Sequence, residues 1–260
     1  MSDPHRPDNP YSRVNYRRLI AWEKRVAREG PFLLSLLHRV PERSVIDIGS
    51  GTGEHVAFFA AAGARAVGLD RSEAMITAAR DHEASSSGRF VLGDAIEARA
   101  VLGAEPSFGL AICLGNMLPH MGQDADLSRF FATVHKILRP GGVCLIQLLN
   151  YEGFLATGQR ALPVNVRPGD EGREIVFLRL MSPADDGRVL FFPATLELDP
   201  EAEAPLTVKM SRRVELRAWT RADLAPALGA AGFEAVFHGD MTGGAFVLEE
   251  SPDLVVVATR

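Results

Sequence analysis

Two patterns of apolar and polar positions alternate along the middle of the chain. From Ser44 onward, short and nearly continuous apolar runs are separated by stretches with helical spacing. The runs that predict strands are "SVIDI", "ARAVGLD", "RFVLGD", "FGLAICL" and "GVCLIQLLN". Strands that are apolar on both faces are typical of a parallel sheet covered by helices. The repeated strand–helix units therefore predict an α/β fold with an open, doubly wound sheet.

Helical spacing also precedes the first predicted strand. The stretch "NYRRLIAWEKRVAREGPFLLSLLHRV" predicts a helix, and Gly30-Pro31 is expected to break it before a second short helix. Residues 1–13 are polar and rich in proline, which predicts a loose arm. Residues 1–43 are therefore expected to form a helical cap segment ahead of the core.

The pattern changes after Asn150. Three long extended segments, "REIVFLRLMSP", "GRVLFFPATLELD" and "PLTVKMSRRVELRAW", follow one another with turn signals and no helix between them. They predict an antiparallel β-meander, residues 151–217, inserted into the α/β domain. Thr220 and Asp223 then predict a capped helix start, and "FEAVFHG" and "DLVVVAT" predict two last strands. Residues 218–260 are therefore expected to complete the core sheet begun by residues 44–150.

Composition narrows the class of protein. The net charge of −5 argues against a surface that coats nucleic acid. No apolar run approaches the length of a membrane span, and no apolar secretory stretch opens the sequence. Cys113 and Cys144 lie in apolar stretches, which favours buried thiols in a reducing compartment over a disulfide. We expect a cytoplasmic protein whose partners include neither a membrane nor nucleic acid.

A cluster of glycines follows the first predicted strand. The stretch "VIDIGSGTGEH" holds Gly49, Gly51 and Gly53 behind Asp47. Such a turn between a strand and a helix exposes backbone N–H groups and lets a ligand approach the chain closely. The spacing is not the G-x-G-x-x-G of dinucleotide sites, and no Lys-Ser/Thr follows as in a P-loop. Asp47 would repel a pyrophosphate, so the turn favours a ligand that carries an ammonium or a sulfonium.

Two further aspartates end the next two predicted strands. Asp70 lies where a carboxylate can accept both hydroxyls of a ribose, and Asp94 lies where it can meet an adenine amino group. A single aspartate at such a place often only caps a turn. Three of them at successive strand ends, around one glycine turn, favour a binding site for a cationic nucleoside.

These stretches, with "VGLDRSEAMITAAR", "GDAIE", "LAICLGNMLPHM" and "ILRPGGVCLIQ", resemble the successive motifs of the class I S-adenosylmethionine-dependent methyltransferases. The resemblance covers about residues 15–150. It implies a Rossmann-like, seven-stranded, mostly parallel sheet whose last strand is antiparallel, with S-adenosyl-L-methionine as the cofactor. The N-terminal helix, "LGNMLPHM" and the inserted meander also resemble, more loosely, glycine/sarcosine-type small-molecule N-methyltransferases.

The resemblance implies a set of cofactor-binding residues. The glycine turn would hold the methionyl part of the cofactor. The residues after the second strand would bind the ribose, and the residues after the fourth strand would line the sulfonium side. The N-terminal segment, which holds Tyr11, Tyr16 and Trp22, often closes over the donor in this fold, and an aromatic face there would attract a sulfonium. On such a helix, however, residues like Tyr16 and Trp22 are more often packing anchors. The cofactor-binding set is Asp47, Gly49, Ser50, Gly51, Gly53, Asp70, Arg71, Met75, Asp94, Ala95, Leu114 and Gly115, with Tyr16 and Trp22.

The acceptor is expected near the carboxyl ends of the fourth and fifth strands. Candidate catalytic residues there are Asn116, His120 and Tyr151. Asn116 and His120 also have purely structural alternatives, in which Asn116 forms a turn and His120 starts a helix. Among the arginines of the meander, one could bind a carboxylate of the acceptor while the rest face solvent. The candidate substrate-binding residues are Asn116, Gln147, Asn150 and Arg179, with His238 and Asp240 at the rim.

The leading hypothesis is methyl transfer to a small-molecule acceptor, more probable at nitrogen because an amine needs only its unprotonated lone pair. Open alternatives are an O- or C-methyltransferase of a natural-product pathway and a non-catalytic nucleoside-binding partner subunit. The seven histidines are scattered without paired spacing, so no metal is expected. The sequence leaves open a monomer or a homodimer.

Overall fold

The computed structural model describes residues 20–81, 88–103 and 107–260. Within those ranges the helices are α1 (Trp22–Arg39), α2 (Glu54–Ala61), α3 (Glu73–Asp81), α4 (Ala98–Leu102), α5 (Asp124–Ile137), α6 (Tyr151–Thr157) and α7 (Arg221–Ala230). The strands there are β1 (Ser44–Ile48), β2 (Arg65–Asp70), β3 (Arg89–Leu92), β4 (Phe108–Cys113), β5 (Leu138–Leu149), β6 (Asn165–Pro168), β7 (Glu174–Pro183), β8 (Arg188–Leu198), β9 (Leu206–Ser211), β10 (Val214–Arg217), β11 (Glu234–His238) and β12 (Asp253–Thr259).

The main sheet has seven strands in the order β3-β2-β1-β4-β5-β12-β11. Strands β1 to β5 pair in parallel, while β12 runs antiparallel to both β5 and β11. This confirms the predicted Rossmann-like sheet and its antiparallel last strand. The order reverses between β1 and β4, and in open parallel sheets the ligand crevice lies outside the strand ends at such a point.

Helices cover both faces of this sheet, as its apolar strands require. On one face α1, α2 and α3 pack through Leu36, Phe59 and Ile76. On the other face the apolar stripe of α5, which includes Phe130 and Val134, is buried together with Leu224 and Leu228 of α7. The side-chain burial therefore follows the helical period that the sequence displays.

Helix α1 corrects one prediction. Gly30-Pro31 does not break the helix, which continues to Arg39. A residue before proline avoids the helical region because its Cβ and N–H meet the proline ring, and glycine lacks the Cβ. A Cβ at Gly30 would also lie 3.2 Å from the Phe58 ring. Burial of Leu33, Leu36 and Leu37 after the proline then outweighs the hydrogen bond that Pro31 cannot donate.

The inserted region forms a second, antiparallel sheet of five strands in the order β10-β8-β7-β6, with β9 also paired to β8. The sequence predicts three extended segments here; the third divides into β9 and β10, and neither β6 nor α6 is predicted. Met181, Val189 and Phe191 join the core of the main sheet, so the second sheet packs against it. The predicted domain boundaries at residues 43, 150 and 217 stay predictions.

Smaller features of the chain agree with the sequence patterns. The Thr220 side chain accepts from the Asp223 amide, and the Asp223 carboxylate accepts from the Thr220 amide, which completes the predicted capping box of α7. Cys113 and Cys144 are buried thiols on neighbouring strands. No helix in the described part of the chain is long and apolar enough to span a membrane.

The Gly30-Pro31 pair yields a stability test with a matched control. Gly30→Ala introduces a Cβ against Pro31 and Phe58, so it should destabilise the fold by about 1 kcal/mol or more. Gly229→Ala, in α7 with open space around the new Cβ, should instead stabilise by about 0.5–1 kcal/mol. Urea unfolding measures both variants, and an equal gain for Gly30→Ala would contradict this account of α1.

Candidate active site

The glycine turn lies at the carboxyl end of β1 and is anchored to the neighbouring strand. The amides of Gly49 and Ser50 both donate to the Leu69 carbonyl, over 2.7 and 3.1 Å. Gly49, Gly51 and Gly53 have φ values of 81°, 52° and 87°, a backbone region that favours glycine. The turn then leads directly into α2, whose first amides point toward the same crevice.

The three glycines are required for different reasons. A Cβ on Gly49 would lie 2.7 Å from the Met117 Cγ, and one on Gly53 would lie 2.6 Å from the Phe90 ring. A Cβ on Gly51 would meet nothing within 4 Å. Gly49 and Gly53 therefore pack against the protein, whereas Gly51 faces open space that a ligand can fill.

Asp47 gives this space its electrostatic character. The side chain is 2 % exposed, and its Oδ2 accepts no hydrogen bond from the described residues. The His55 Nδ1 lies 4.0 Å from that oxygen. Burial raises the pKa of Asp47 to about 6, and the field of His55 opposes the rise. An unpaired buried carboxylate is costly unless a cationic partner completes it.

Helix α1 brings a second charged group to the back of the turn. The buried Glu29 carboxylate accepts from the Arg25 Nε at 3.0 Å and lies 3.5 Å from the His55 Nε2. Burial pushes the pKa of Glu29 up, but His55 and Arg25 more than offset this and hold it below its usual value. The Trp22 ring meets His55 edge-on with centroids 5.4 Å apart. His55 thus lies between two buried carboxylates.

The sequence reasoning does not identify Glu29 and His55 as site residues. His55 follows the glycine turn by two positions, and Glu29 is a carboxylate on the buried face of an amphipathic helix. The sequence signal that could have identified Glu29 is a charged residue on the apolar face of a helix, because charged residues are rarely buried without a partner. The partner of each residue lies 26 positions away and cannot be read from local spacing.

The two further aspartates lie at neighbouring strand ends, as predicted. The Asp70 Oδ2 accepts from the Gly51 amide at 2.9 Å, and its Oδ1 accepts from the Ser72 amide at 2.8 Å. The Asp94 Oδ1 caps the short 3-10 turn Ala95–Glu97. Since the Gly93 amide donates to the Asp70 carbonyl, the ends of β2 and β3 are held together.

The loop after β4 forms the other side of the crevice. Gly115 is exposed, and both it and Asn116 have positive φ, 70° and 65°. The Gly115 amide donates to the Gln147 Oε1 at 2.8 Å, and the Gln147 Nε2 donates to Asp253 at 2.7 Å. Gln147 therefore anchors the loop to β5 and β12, and its predicted substrate contact stays a prediction. Asparagine is among the few non-glycine residues that adopt the left-handed region readily.

Asn116 and Tyr151 contact each other. The Asn116 Nδ2 donates to the Tyr151 hydroxyl at 2.9 Å, and the Leu149 amide donates to the Asn116 Oδ1 at 3.0 Å. Tyr151 is 1 % exposed, and burial raises the pKa of its hydroxyl far above the usual value. Asn150 uses its side chain to cap α6 and to bond the Leu248 carbonyl, and its substrate role stays a prediction.

His120 ends the 3-10 turn Leu118–His120 and does not start an α-helix. Crowding by protein atoms and the positive charge of Arg71 both lower the pKa of its imidazole. The ring still contacts solvent, which moderates the shift, and the imidazole is neutral at pH 7. Arg71 directly follows β2, so its charge reaches His120 from the neighbouring strand end.

The remaining predicted residues are distributed as follows. Leu114 and Met75 are buried, Ala95 begins the 3-10 turn after β3, and Trp22 lies on α1. Tyr11 and Tyr16 fall outside the described residues. Arg179 stacks on Phe177 and donates to the Pro163 carbonyl within the second sheet. His238 and Asp240 bond within the loop 239–244.

These residues fit S-adenosylmethionine. Buried polar atoms without partners surround the turn: the Asp47 Oδ2, the Ser50 Oγ and the Trp22 Nε1. The carboxylate suits an ammonium, the open side of Gly51 admits the ligand, and the Asp70 carboxylate oxygens are placed for ribose hydroxyls. No cluster of three potential metal ligands occurs among the residues that the structure describes. Fold and site together define a nucleoside-binding protein of the doubly wound α/β class.

Comparison with known proteins supports the interpretation of this site as one for S-adenosylmethionine. Residues 45–142 match the model of a methyltransferase domain. A glycine/sarcosine N-methyltransferase of Parasynechococcus marenigrum (strain WH8102) is 29 % identical over 150 residues, which cover 54 % of this chain and 50 % of that protein. A glycine/sarcosine/dimethylglycine N-methyltransferase of Actinopolyspora halophila is 28 % identical over 54 % of this chain and 25 % of its own length. The match thus spans half or less of these curated relatives.

Solved structures share the whole fold. The sugar N-methyltransferase KedS8 from Streptoalloteichus sp ATCC 53650 superposes with a TM-score of 0.73 at 21 % identity, covering 100 % of this chain and 96 % of that one. The amino pentose methyltransferase CalS10 from Micromonospora echinaspora, solved with S-adenosylmethionine bound, gives 0.72 at 21 % identity and covers both chains fully. The chain is therefore similar to a methyltransferase domain over residues 45–142 and shares the fold of S-adenosylmethionine-dependent methyltransferases.

The raised pKa of Asp47 makes donor binding depend on pH. Above pH 6 the carboxylate is ionised and can pair with the ligand's ammonium; below it the proton removes that attraction. Affinity for S-adenosylhomocysteine should therefore fall about tenfold per pH unit as the pH drops below 6. Calorimetry between about pH 5 and 8 measures this, and Asp47→Asn should bind weakly with no such slope. A slope that persists in Asp47→Asn would assign the titration to another group.

Asp70 supports both the turn and the expected ribose contact. Asp70→Ala should weaken S-adenosylhomocysteine binding by about 1–3 kcal/mol through the loss of charge-assisted hydrogen bonds. Asp81→Ala, at the exposed end of α3, is the matched control and should bind as the parent does. Equal calorimetric affinities for the two variants would remove Asp70 from the site.

Proposed function

We propose that the protein is an S-adenosylmethionine-dependent methyltransferase that acts on the amine nitrogen of a small molecule. Two observations carry the proposal: the buried Asp47 Oδ2 has no hydrogen-bond partner among the described residues, and the candidate acceptor residues His120 and Tyr151 are both neutral. The first feature suits a cationic donor. The second suits an acceptor that arrives with its own lone pair.

On the donor side, the protein's task is to bind and orient. S-adenosylmethionine supplies a methyl group on a sulfonium, which is already activated toward direct displacement. Asp47 would pair with the ammonium of the methionyl part, and Gly51 would leave room for it. Asp70 would orient the ribose and Asp94 the adenine. Trp22, on α1, would cover the methionyl end and exclude water.

Neither of the titratable candidates on the acceptor side, His120 and Tyr151, is a strong base. The Tyr151 hydroxyl stays protonated because its pKa is raised far above neutrality. The lowered pKa of His120 leaves its imidazole neutral and weakly basic, so it would deprotonate a hydroxyl poorly, and the acceptor amine would have to bind in its unprotonated form. Asn116 would orient the amine, with Tyr151 and the Leu149 amide fixing its side chain. This chemistry favours nitrogen over oxygen.

Two kinds of acceptor follow from the relatives and structural neighbours. The curated relatives carry names of glycine and sarcosine N-methyltransferases, and the solved neighbours include a sugar N-methyltransferase and an amino pentose methyltransferase. The second sheet would form the lid over the acceptor: β10 leads into Trp219, whose Nε1 donates to the Met121 carbonyl one residue after His120. Its inner face carries Arg179, which could pair with an anionic group of the acceptor.

The experiment is a methyl-transfer assay that follows S-adenosylhomocysteine release. The acceptor panel holds glycine, sarcosine, amino-sugar nucleotides, and their hydroxyl analogues as matched controls. Turnover with an amine and none with its hydroxyl analogue supports the proposal. Preferred turnover of a hydroxyl acceptor would establish an O-methyltransferase instead. Tight S-adenosylhomocysteine binding without turnover of any acceptor would favour a non-catalytic partner subunit.

Tyr151 distinguishes positioning from base catalysis. Tyr151→Phe removes the hydrogen bonds to Asn116 but no titrating group, so kcat should fall about tenfold while the pH profile of kcat keeps its shape. Asn116→Ala should give a loss of similar or larger size, and the double variant should lose little more than Asn116→Ala alone. A fall of about 1,000-fold with a changed pH profile would identify Tyr151 as the base.

A further inference from the structure

The loop after β4 has a backbone conformation that needs support from its neighbours. Gly115 and Asn116 have consecutive positive φ values, 70° and 65°. For a residue other than glycine this conformation costs free energy, and it persists only where surrounding groups hold it. Two supporting hydrogen bonds end on Gln147: its Oε1 accepts from the Gly115 amide at 2.8 Å, and its carbonyl accepts from the Asn116 amide at 3.2 Å. Gln147 is therefore a main support of this loop.

The orientation of the Gln147 side-chain amide decides whether it can give this support. The Gly115 N–H can only donate, so it needs the Gln147 Oε1, and the Nε2 must then point the other way. Asp253 accepts from that Nε2 at 2.7 Å. A carboxylate can only accept, so Asp253 selects the one orientation in which both hydrogen bonds form. Burial raises the pKa of Asp253, and the hydrogen bond from Gln147 opposes the rise and favours the ionised form.

Asp253 reaches Gln147 from the antiparallel last strand. It is the first residue of β12 and pairs in register with Leu149. Gln147 lies two residues earlier on β5 and pairs with Val255. The two side chains are therefore diagonal neighbours on one face of the sheet, which a long side chain such as glutamine can bridge. Since β12 is paired with β5 on one side and β11 on the other, its backbone is held independently of the Asp253 side chain.

The loop after β4 also contacts the glycine turn directly. A Cβ on Gly49 would lie 2.7 Å from the Met117 Cγ, so Met117 packs on the backbone of the turn. Met117 follows Gly115 and Asn116, and a shift of these two residues would move it relative to Gly49. The shape of the ligand side of the turn therefore depends on where this loop is held.

We propose that Asp253 is a positioning residue for binding of the methyl donor: it orients Gln147, and Gln147 holds the loop after β4 against the glycine turn. The proposal rests on the donor side of the proposed function and does not depend on the identity of the acceptor. What Asp253 must supply is a hydrogen-bond acceptor. A contact that only joined β5 to β12 would not depend on the polarity of the two side chains.

The first test measures the affinity of the full chain for S-adenosylhomocysteine by calorimetry. Asp253→Ala removes the acceptor, so the affinity should fall about threefold to tenfold, the size of one hydrogen bond. Asp253→Asn keeps an accepting Oδ1, so its affinity should stay within about twofold of the parent. Glu234→Ala removes an exposed carboxylate on β11 and is the matched control, which should bind as the parent does.

The second test reverses the polarity of the pair. Gln147→Glu places two carboxylates together, so the affinity near pH 7 should fall at least about tenfold. When Asp253→Asn is added, its amide can donate to the new carboxylate, which still accepts from the Gly115 amide, so most of the affinity should return. Independent effects would instead combine without coupling, and the double variant would stay as weak as Gln147→Glu.

Hydrogen exchange of the Gly115 amide, followed by NMR in the ligand-free protein, reports on the loop itself. Exchange should be faster in Asp253→Ala than in the parent and in Asp253→Asn. Circular dichroism checks that each variant is folded. If Gln147→Glu does not fold, the comparison of Asp253→Ala with Asp253→Asn decides alone.

Three results would overturn the proposal: parent-like affinity or parent-like Gly115 exchange in Asp253→Ala, an equal loss of affinity in Asp253→Asn, or no recovery in the double variant. A parent that binds no S-adenosylhomocysteine would overturn the proposed function together with this one. No acceptor is present in these measurements, so their outcome is independent of the methyl-transfer assay.

Discussion

A buried carboxylate that the protein leaves incomplete governs the site. Asp47 is 2 % exposed, yet within the part of the chain that the structure describes its Oδ2 accepts no hydrogen bond, and the His55 Nδ1 is 4.0 Å away. A closer histidine would stabilise the free protein but would compete with the ligand for the same oxygen. The Glu29 carboxylate lies 3.5 Å from the His55 Nε2, on the opposite side of the ring, and so holds the imidazole away from Asp47. His55 thus offsets part of the cost of burying the Asp47 charge in the folded protein, while the Asp47 Oδ2 stays available to a cationic ligand.

The backbone supplies the rigidity that such a site requires. Sideways hydrogen bonds join the strand ends: the glycine turn to Leu69, the Gly93 amide to Asp70, and the Asn116 amide to the Gln147 carbonyl. These bonds fix the crevice from β3 to β5 without using the groups that face the ligand. Gln147 adds a second layer, since it links the Gly115 amide to Asp253 on the antiparallel last strand. Pre-organised donors and acceptors of this kind lower the cost of ordering on binding.

The features that could be predicted from the sequence are those that a local pattern of residues determines. Apolar runs indicate the parallel strands because both faces are covered, and the glycine turn with Asp70 and Asp94 indicates the ligand edge because each strand end is a local feature. The expected break at Gly30-Pro31 is wrong because glycine before proline removes the clash on which that rule rests. Residues 26 or 106 positions apart, such as Glu29 with His55 or Gln147 with Asp253, have no local signal. The strand β6 and the helix α6 are too short for hydrophobic periodicity to predict them.

The inserted sheet places two constraints on one set of strands. Odd positions of β7 and β8, such as Met181 and Phe191, pack toward the main sheet and the acceptor side, while even positions such as Leu178 and Leu196 face outward. Because side chains alternate with a period of two, a shift of one residue in register would exchange the two faces completely. Apolar residues occupy much of both faces, so hydrophobicity alone specifies the register only weakly, although Arg179, Thr195 and Glu197 lie at odd positions. The register is held instead by polar and shape-specific contacts at the edges, including the Trp219 bond to Met121 and the pairing of the Leu162 amide with the Arg179 carbonyl. Substitutions at those edges would therefore disturb acceptor placement and the outer surface together.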